Sequence, residues 1–250
     1  LPPCAAAILW RAGNSIRRSD MAYCCMHNVF TNSGGSRPGM TAPPDHTYQI
    51  PDLSLLVLLQ DGLPAGYSLA GDTAQELERS FFDTFDWRLY RAGRLLQEKH
   101  TAQSRGLQLC TLLEGRPVAS VLTTRAPDWP EQLPEGSLRT ALLALTEMRV
   151  LLPLVRVVSE LQHYRILNED AKTVVRLRCE RPRVVRSGPD APEHSLPPRL
   201  QLVAMRGYGA EAATIAALLE ADDRVEVASH TLFEASLRAV GRVPGDYSSK

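Results

Sequence analysis

The fold is decided by the segment Phe81–Gly93, which reads FFDTFDWRLYRAG and is the densest aromatic stretch of an aromatic-poor chain. Its two leading phenylalanines end a run that can be extended. The Asp83-Thr84 pair then favours a turn, because short polar side chains hydrogen-bond to nearby backbone. Gly93 allows the chain to reverse before the next apolar run. The segment therefore predicts a strand, a polar corner, an irregular arginine-bearing piece and a second strand.

The same residues resemble the Y-F-D-T-x-D-x-x-L-x-x-x-G signature of CYTH domains, the triphosphate tunnel metalloenzyme superfamily. The part DWRLYRAG, Asp86–Gly93, is similar to the CYTH-like domain that precedes a CHAD domain in bacterial proteins. The resemblance implies an α+β fold that is mainly antiparallel β. In that family the fold is an eight-stranded tunnel barrel with an inserted helix and C-terminal helices.

Composition excludes several classes of function. The chain has 250 residues, enough for one large domain or for a domain and part of a second. A formal net charge of zero gives no overall case for binding nucleic acid or a membrane, so any electrostatic function requires an uneven distribution of charge. No apolar run approaches the ~18 residues of a membrane span. The five cysteines lack metal-ligand spacing, which favours reduced thiols in a cytoplasmic protein.

Three parts of the chain differ in character. Residues 1–45 show no sustained period and end in turn formers, so they are predicted to be a disordered or read-through segment, in which residues 1–39 precede a natural start at Met40. Residues 46–225 are predicted to be the CYTH-like domain. Residues 226–250 are predicted to be a helix and a linker into a truncated CHAD domain, as their resemblance to such a linker implies.

Short strands with polar turns between them indicate an antiparallel sheet or barrel. The predicted strands are Ala65–Ala70, Ala74–Phe82, Arg94–Lys99, Gly106–Leu113, Pro117–Thr124, Leu154–Leu167, Lys172–Glu180 and Leu200–Met205. The first two are predicted to form a hairpin around Gly71-Asp72, and the next two another. The predicted helices are Leu138–Met148 with Ser137 as its cap, Ala210–Leu219 and Ser229–Val240, whereas Leu53–Gln60 fits either a helix or a buried strand.

The metal-binding half of the family's chemistry is poorly matched. The resemblance implies a tunnel in which basic side chains bind triphosphate and carboxylates hold divalent metal. Active relatives take those carboxylates from an E-x-E-x-K first strand and from an acidic pair on a late strand. Here Asp45–Gln49 offers at most one carboxylate and has glutamine in place of the lysine, and Leu200–Met205 has no acid. The sequence therefore predicts no catalytic residue, no metal site and no cofactor.

The basic half is partly retained. Residues 149–186 contain nine basic side chains against four acids. Alternation along Lys172–Glu180 places its basic side chains on one face, whereas Arg156 and Arg165 have opposite parity on the preceding strand. A solvated sheet surface is the alternative explanation of this pattern. The candidate anion-binding residues are Arg88, Arg91, Lys99, Arg156, Arg165, Lys172, Arg176 and Arg178.

We therefore expect a non-catalytic CYTH-like domain that binds polyphosphate or a related phosphate anion and is accessory to a CHAD domain in cis. Two alternatives stay open. One is a CYTH-type triphosphatase or adenylyl cyclase that uses Mg²⁺ or Mn²⁺ with rearranged carboxylates, and the other is a purely structural module. Neither a membrane nor a nucleic acid is an expected partner. Asp83 and Thr84 are expected to form the corner rather than to act in catalysis.

Overall fold

The computed structural model describes residues 46–185 and 193–245. Within these ranges the chain forms one eleven-stranded sheet in which every pairing is antiparallel, together with helices on its faces. The expected class, α+β with mainly antiparallel strands, is confirmed. The predictions for residues 1–45 lie outside the described residues.

The strands are β1 (His46–Gln49), β2 (Ser68–Gly71), β3 (Gln75–Asp83), β4 (Arg94–His100), β5 (Arg105–Thr111), β6 (Pro117–Leu122), β7 (Leu152–Leu167), β8 (Thr173–Val185), β9 (His194–Ser195), β10 (Arg199–Ala204) and β11 (Glu226–Val227). The helices are α1 (Leu55–Gly62), α2 (Arg88–Arg91), α3 (Ser137–Thr146), α4 (Gly209–Glu220) and α5 (Leu232–Ala239), with a 3-10 turn at Pro130–Gln132. Hydrogen-bonded neighbours follow the order β11-β1-β10-β8-β7-β3-β4-β5-β6, with β2 also on β7 and β9 on β8. The sheet exceeds the expected eight strands because three strands of four residues or fewer, β1, β9 and β11, were not predicted.

The predicted hairpin of β2 with β3 is wrong, whereas the hairpin of β4 with β5 is confirmed. Strand β7 has sixteen residues, and both β2 and β3 pair with it, one after the other. The N–H of Asp72 donates to the carbonyl of His163 at 2.8 Å, so the Gly71-Asp72 step continues along β7 instead of turning back. The length of β7, which the local turn signal does not report, decides this pairing.

Helices cover one face of the sheet, which we name the outer face. Leu55, Leu56 and Leu59 of α1 are buried, so the ambiguous Leu53–Gln60 segment is a helix, and it packs with α4 over β1, β8 and β10. Helix α3 covers β4 and β5 through the buried Leu138 and Leu142, which share one face of the helix. This helix begins at Ser137 after Gly136, so Ser137 does not cap it as predicted.

The opposite side of the sheet, the inner face, is covered at one end by α5. Phe233 and Leu237 of α5 pack on Phe81 and Val157, and the Phe81 and Phe233 rings lie 5.3 Å apart edge to face. Thr231 and Glu234 form a reciprocal capping box that fixes the start of α5. The apolar end of the inner face is therefore closed by the C-terminal helix. Across the described ranges, no helix is long and apolar enough to cross a bilayer.

Candidate anion-binding site

The polar corner after β3 is built around one carboxylate. Asp83 accepts the backbone N–H groups of Thr84 at 2.7 Å, Leu89 at 2.9 Å and Tyr90 at 2.9 Å. The bonds to Leu89 and Tyr90 satisfy N–H groups at the start of α2, which explains why the predicted irregular piece is a helical turn. Burial raises the pKa of the Asp83 carboxyl, against the opposing effect of the three N–H groups. The corner-forming geometry of Asp83 and Thr84 agrees with the sequence prediction.

Two candidate arginines lie at this corner. Arg88 donates from Nε to Asp86 at 3.0 Å and places Nη1 2.6 Å from a carboxylate oxygen of Glu147. Arg91 is exposed on the same helical turn. Arg149 adds a third cation, with its Nε 2.8 Å from Asp86. The ion pairs of Arg88 are local to the corner, so the structure does not bring this side chain to the inner face.

Beyond the apolar end, the inner face is polar and basic. Strand registers place Arg79 directly across from Lys99, His163 across from Arg178, and Glu180 across from Arg199. Cross-strand partners project to the same side of a sheet, so these side chains share one face. We define the basic cluster as Arg79 on β3, Lys99 on β4, Arg178 on β8 and Arg199 on β10.

Glu180 is the carboxylate within this cluster. Arg79 donates from Nη1 to Oε1 of Glu180, and its Nη2 lies 3.4 Å from Oε2. Ser159 Oγ donates to Oε1 at 2.7 Å, and Arg178 Nη2 lies 3.6 Å from Oε2. Burial alone would raise the pKa of Glu180, but the charges of Arg79 and Arg178 outweigh it and lower the pKa to about 2. Glu180 is therefore ionised and fully engaged by protein groups.

The cations of the basic cluster repel one another. Burial, followed by the charges of Arg79 and Arg178, lowers the pKa of Lys99 to about 7. Burial and the charge of Arg79 lower the pKa of Arg178 to about 10. Burial lowers the pKa of Arg199, whose Nη2 donates to the carbonyl of His230 at 2.8 Å. Four basic side chains share one carboxylate, so the cluster has an excess of positive charge.

Buried donors on the inner face lack acceptors. Gln108 is 1% exposed, and its Nε2 has no hydrogen-bond partner anywhere in the described part of the chain. The same holds for Arg178 Nε. The Gln108 carbonyl, in contrast, accepts from Gln97 Nε2 at 3.3 Å. Buried N–H groups normally have acceptors, so these donors favour a ligand that supplies oxygen atoms.

The sheet itself encloses these groups. Arg79, Gln108 and Ser159 are buried, although α5 packs only on the apolar end of the inner face. Neighbouring side chains of the sheet cover them instead: Arg79 and Ser159 both bond to Glu180, and Gln108 bonds to Gln97.

The other candidate anion-binding residues on β7 and β8, and in the turn between them, lie outside the basic cluster. Arg156 and Arg165 have opposite parity, as predicted: Arg156 pairs with Glu78 at 2.7 Å, and Arg165 pairs with Asp72 at 3.3 Å. Arg165 is directly across from Arg176 on the inner face, beyond the His163–Arg178 pair, and both side chains are exposed. Lys172 lies in the turn before β8 and pairs with Asp170 at 3.1 Å, because alternation begins only at Thr173. Lys99 and Arg178 are thus the two predicted residues that the structure places in the basic cluster.

Sequence reasoning missed Arg79 and Arg199. A usable signal was present, because Arg79 has the same parity as the buried Leu77 and Phe81. An arginine between two core positions of one strand face has to be buried and partnered. Arg199 has parity opposite to the buried Leu200, which likewise places it on the polar face of β10.

The residues that the structure describes do not fit a divalent-metal site. Thr47 and Gln49 of β1 carry no charge, and the intervening Tyr48 points to the outer-face core, where its hydroxyl donates to Glu220 at 2.9 Å. Strand β10 has no acid. Glu180 is bound by Arg79, and the described ranges contain no group of three or more His, Cys, Asp or Glu side chains suited to a metal. A hard cation needs several anionic oxygens, which this face does not offer.

A separate groove of about 460 Å³ lies beside the start of β3. Its acid Glu78 pairs with Arg156 at 2.7 Å and lies 3.9 Å from His100 Nδ1. The groove is lined by Ala74, Gln75, Glu76, Glu78, His100, Thr101, Ala102 and Gln103. Its acidic lining does not favour an anion, and none of the basic cluster contributes to it.

No protein-family model matches the chain, and no curated protein matches it in sequence. Solved structures do match. One is an adenylyl cyclase candidate from Hippeastrum, reported to have a dominant triphosphatase activity, at 14% identity and a TM-score of 0.47, covering 80% of this chain and 96% of that one. Another is an adenylate cyclase candidate from Bacillus halodurans, at 12% identity and a TM-score of 0.48, covering 78% and 97%. A protein from Pyrococcus horikoshii matches at 8% identity and a TM-score of 0.46.

Proposed function

We propose that the inner face binds a phosphate-rich anion, of which inorganic polyphosphate or triphosphate is the best match, and binds it without hydrolysis. The observation that carries this proposal is the basic cluster, in which four cations share one buried carboxylate beside donors that lack acceptors. Phosphate oxygens accept charge-assisted hydrogen bonds from guanidinium and ammonium groups. The Phe81–Gly93 resemblance to CYTH domains independently favours a triphosphate ligand.

Electrostatics support an anionic occupant over an apolar one. Like charges brought together under partial burial disfavour their own charged forms, as the lowered pKa values of Lys99, Arg178 and Arg199 indicate. An anion bound between these side chains would relieve that repulsion. The same cluster would repel cationic ligands, and the polar lining gives an apolar ligand little surface to bury.

A role without catalysis fits the donor set. Hydrolysis of a triphosphate in a metal-dependent tunnel needs carboxylates free to hold the cation. Glu180 is bound by Arg79 and Ser159, and neither β1 nor β10 provides a replacement. Release of phosphate in the presence of Mg²⁺ or Mn²⁺ would overturn this part of the proposal.

We extend the proposal to an accessory role beside a CHAD domain in cis. This rests on the resemblance of Asp86–Gly93 and of the C-terminal stretch to chains of that arrangement. A phosphate-polymer site in one domain would raise the local concentration of the polymer for a neighbouring basic domain. A module with no ligand of its own is the alternative, and absence of binding would support it.

Arg178→Gln should weaken the binding of tripolyphosphate at least about tenfold, a loss of about 1.4 kcal/mol. Arg178 combines a positive charge with a buried Nε that lacks an acceptor in the described residues, and glutamine removes both. Isothermal titration calorimetry with tripolyphosphate, and then with long-chain polyphosphate, measures the change.

Arg181→Gln is the matched control. Arg181 lies on the same strand with opposite parity, is exposed and pairs with Glu160, so its loss should leave the affinity unchanged. Equal weakening by both substitutions would indicate non-specific attraction to surface charge. Failure of the unaltered protein to bind either phosphate would refute the proposed function.

A further inference from the structure

Lysine is rare in this chain, and one lysine lies in the basic cluster. The 28 basic residues include only three lysines: Lys99, Lys172 and Lys250. Lys172 is exposed in the β7–β8 turn with its amine 3.1 Å from Asp170, and Lys250 lies outside the described residues. Arginine carries almost every other positive charge. Of the two lysines that the structure describes, Lys172 forms an exposed ion pair with an acid, whereas Lys99 faces other cations.

The surroundings of Lys99 give its amine unusual properties. Across the strands it faces Arg79 of β3 and Gly106 of β5, and the glycine leaves the space beside its stem free of a side chain. The charged and titratable groups that act on it are Arg79, Arg178, Glu180 and the thiol of Cys110. Burial and the two arginines lower the pKa of Lys99 to about 7, so a large fraction of the amine is neutral at physiological pH. A neutral amine is a nucleophile, whereas an ammonium group is not.

We propose that Lys99 is a site of acylation by small acyl phosphates, with the phosphate group bound by the arginines of the basic cluster while the amine attacks the acyl carbon. The inference rests on the proposed function, because the same arginines are taken to bind phosphate oxygens. The geometry joins two requirements of this reaction, a cationic phosphate site and an adjacent amine on the same sheet face.

The chemistry balances without any further reactant. The amine nitrogen forms a bond to the carbonyl carbon of the acyl phosphate, and the bond from that carbon to the bridging oxygen breaks. The bridging oxygen leaves with the electron pair as inorganic phosphate, and the amine loses one proton to solvent or to the departing phosphate. The products are an amide on Lys99 and inorganic phosphate. Arg79 and Arg178 stabilise the negative charge that develops on the leaving group.

Acylation would also regulate the proposed site. The amide cannot be protonated and adds an acyl group among the arginines, so the basic cluster loses a group that becomes cationic beside a bound anion, and some of its space. We expect acylated protein to bind tripolyphosphate at least about tenfold more weakly, in line with the loss of one direct charge contact. Metabolic acyl phosphates would then compete with polyphosphate in two ways. They would occupy the basic cluster reversibly, and they would weaken it covalently through the amide on Lys99.

The test uses acetyl phosphate on the whole protein, followed by peptide mass spectrometry of Lys99 and Lys172. Lys99 should be acetylated at least about tenfold faster than Lys172, and tripolyphosphate should protect Lys99 but not Lys172. N-acetylimidazole, which has no phosphate, serves as the reference reagent. Arg178→Gln should lower the Lys99 rate with acetyl phosphate more than with N-acetylimidazole, whereas Arg181→Gln should change neither.

Each result has a defined meaning. Equal rates at Lys99 and Lys172 overturn the inference, and if tripolyphosphate still binds in calorimetry, the proposed function survives. Preferential acetylation of Lys99 that Arg178→Gln lowers equally for both reagents also overturns it, because the amine is then reactive without phosphate binding. Fast acetylation of Lys99 with selective dependence on Arg178 supports it. Circular dichroism of both variants excludes loss of folding as the cause.

Discussion

Glu180→Gln should lower the free energy of unfolding by about 3 kcal/mol at neutral pH, because it removes the charge that pairs with a buried arginine. Arg79 is 4% exposed and donates to Glu180, and Arg178 lies 3.6 Å from the same carboxylate. Glutamine preserves the size of the side chain but leaves these guanidinium groups uncompensated. Chemical denaturation monitored by circular dichroism measures the loss.

The same substitution should strengthen anion binding. Without Glu180 the basic cluster has no internal competitor for a phosphate group, so tripolyphosphate should bind more tightly and restore part of the lost stability. Glu160→Gln is the matched control, since Glu160 forms an exposed pair with Arg181 on the outer side of the same two strands. Its loss should change stability by less than about 1 kcal/mol. An unchanged affinity in Glu180→Gln would contradict the placement of the ligand against the basic cluster.

The contribution of Glu180 should depend on pH in a defined direction. Its pKa in the folded chain is about 2, below the ordinary value of 4.5. A lowered carboxylate pKa stabilises the folded chain above the ordinary pKa, and the contribution is lost as pH falls toward the folded value. The difference in unfolding free energy between the unaltered protein and Glu180→Gln should therefore shrink as pH falls from about 4.5 to about 2. A difference that is constant over this range would show that the ion pair does not stabilise the fold.

Asp83→Ala should lower the free energy of unfolding by about 4 kcal/mol, because it leaves three N–H groups without their acceptor at about 1–3 kcal/mol each. The three groups belong to Thr84, Leu89 and Tyr90, and Asp83 itself is 2% exposed. Without the carboxylate, the turn of helix between β3 and β4 loses the contacts that fix it. Urea denaturation measures the change.

Two further substitutions test whether the loss of unfolding free energy comes from the Asp83 carboxylate. Asp83→Asn keeps an oxygen that can accept from Thr84 and Leu89 but lacks the second acceptor used by Tyr90. It should therefore lower the free energy of unfolding by less than Asp83→Ala does. Asp170→Ala removes an exposed turn aspartate that pairs with Lys172, and its effect should stay within about 1 kcal/mol. If Asp83→Ala were no more destabilising than Asp170→Ala, the corner would not depend on this carboxylate.

Local signals in the sequence predicted the corner well. Asp83 bonds to N–H groups within seven residues of itself, so the short polar side chain and the following Gly93 contain most of the needed information. Gly93 has φ +67°, the left-handed conformation that its glycine allows at little cost. The hairpin of β4 with β5 was predictable for the same reason, since its strands are joined by a short polar loop.

Long-range pairing was harder to predict. The register that brings Arg79, Ser159 and Glu180 together depends on β7, which lies between β3 and β8 in the sheet and separates partners 101 residues apart in sequence. Parity could show which side of its own strand Arg79 occupies, but not which strand lies beside it. The alternation that predicted the face of Lys172 does not extend to that residue. Strand β8 begins only at Thr173, and its register with β7 shifts between Ile166 and Leu167.

The position of α5 has a consequence for the stoichiometry with which the protein would bind a phosphate polymer. Helix α5 closes the apolar end of the inner face through Phe233 and Leu237, so a linear chain that enters along the strands from the opposite end has to stop there. The protein would then recognise chain termini instead of internal phosphate units. A linear polymer has two termini at any length, so saturation would follow the molar number of chains and stay the same as each chain is lengthened.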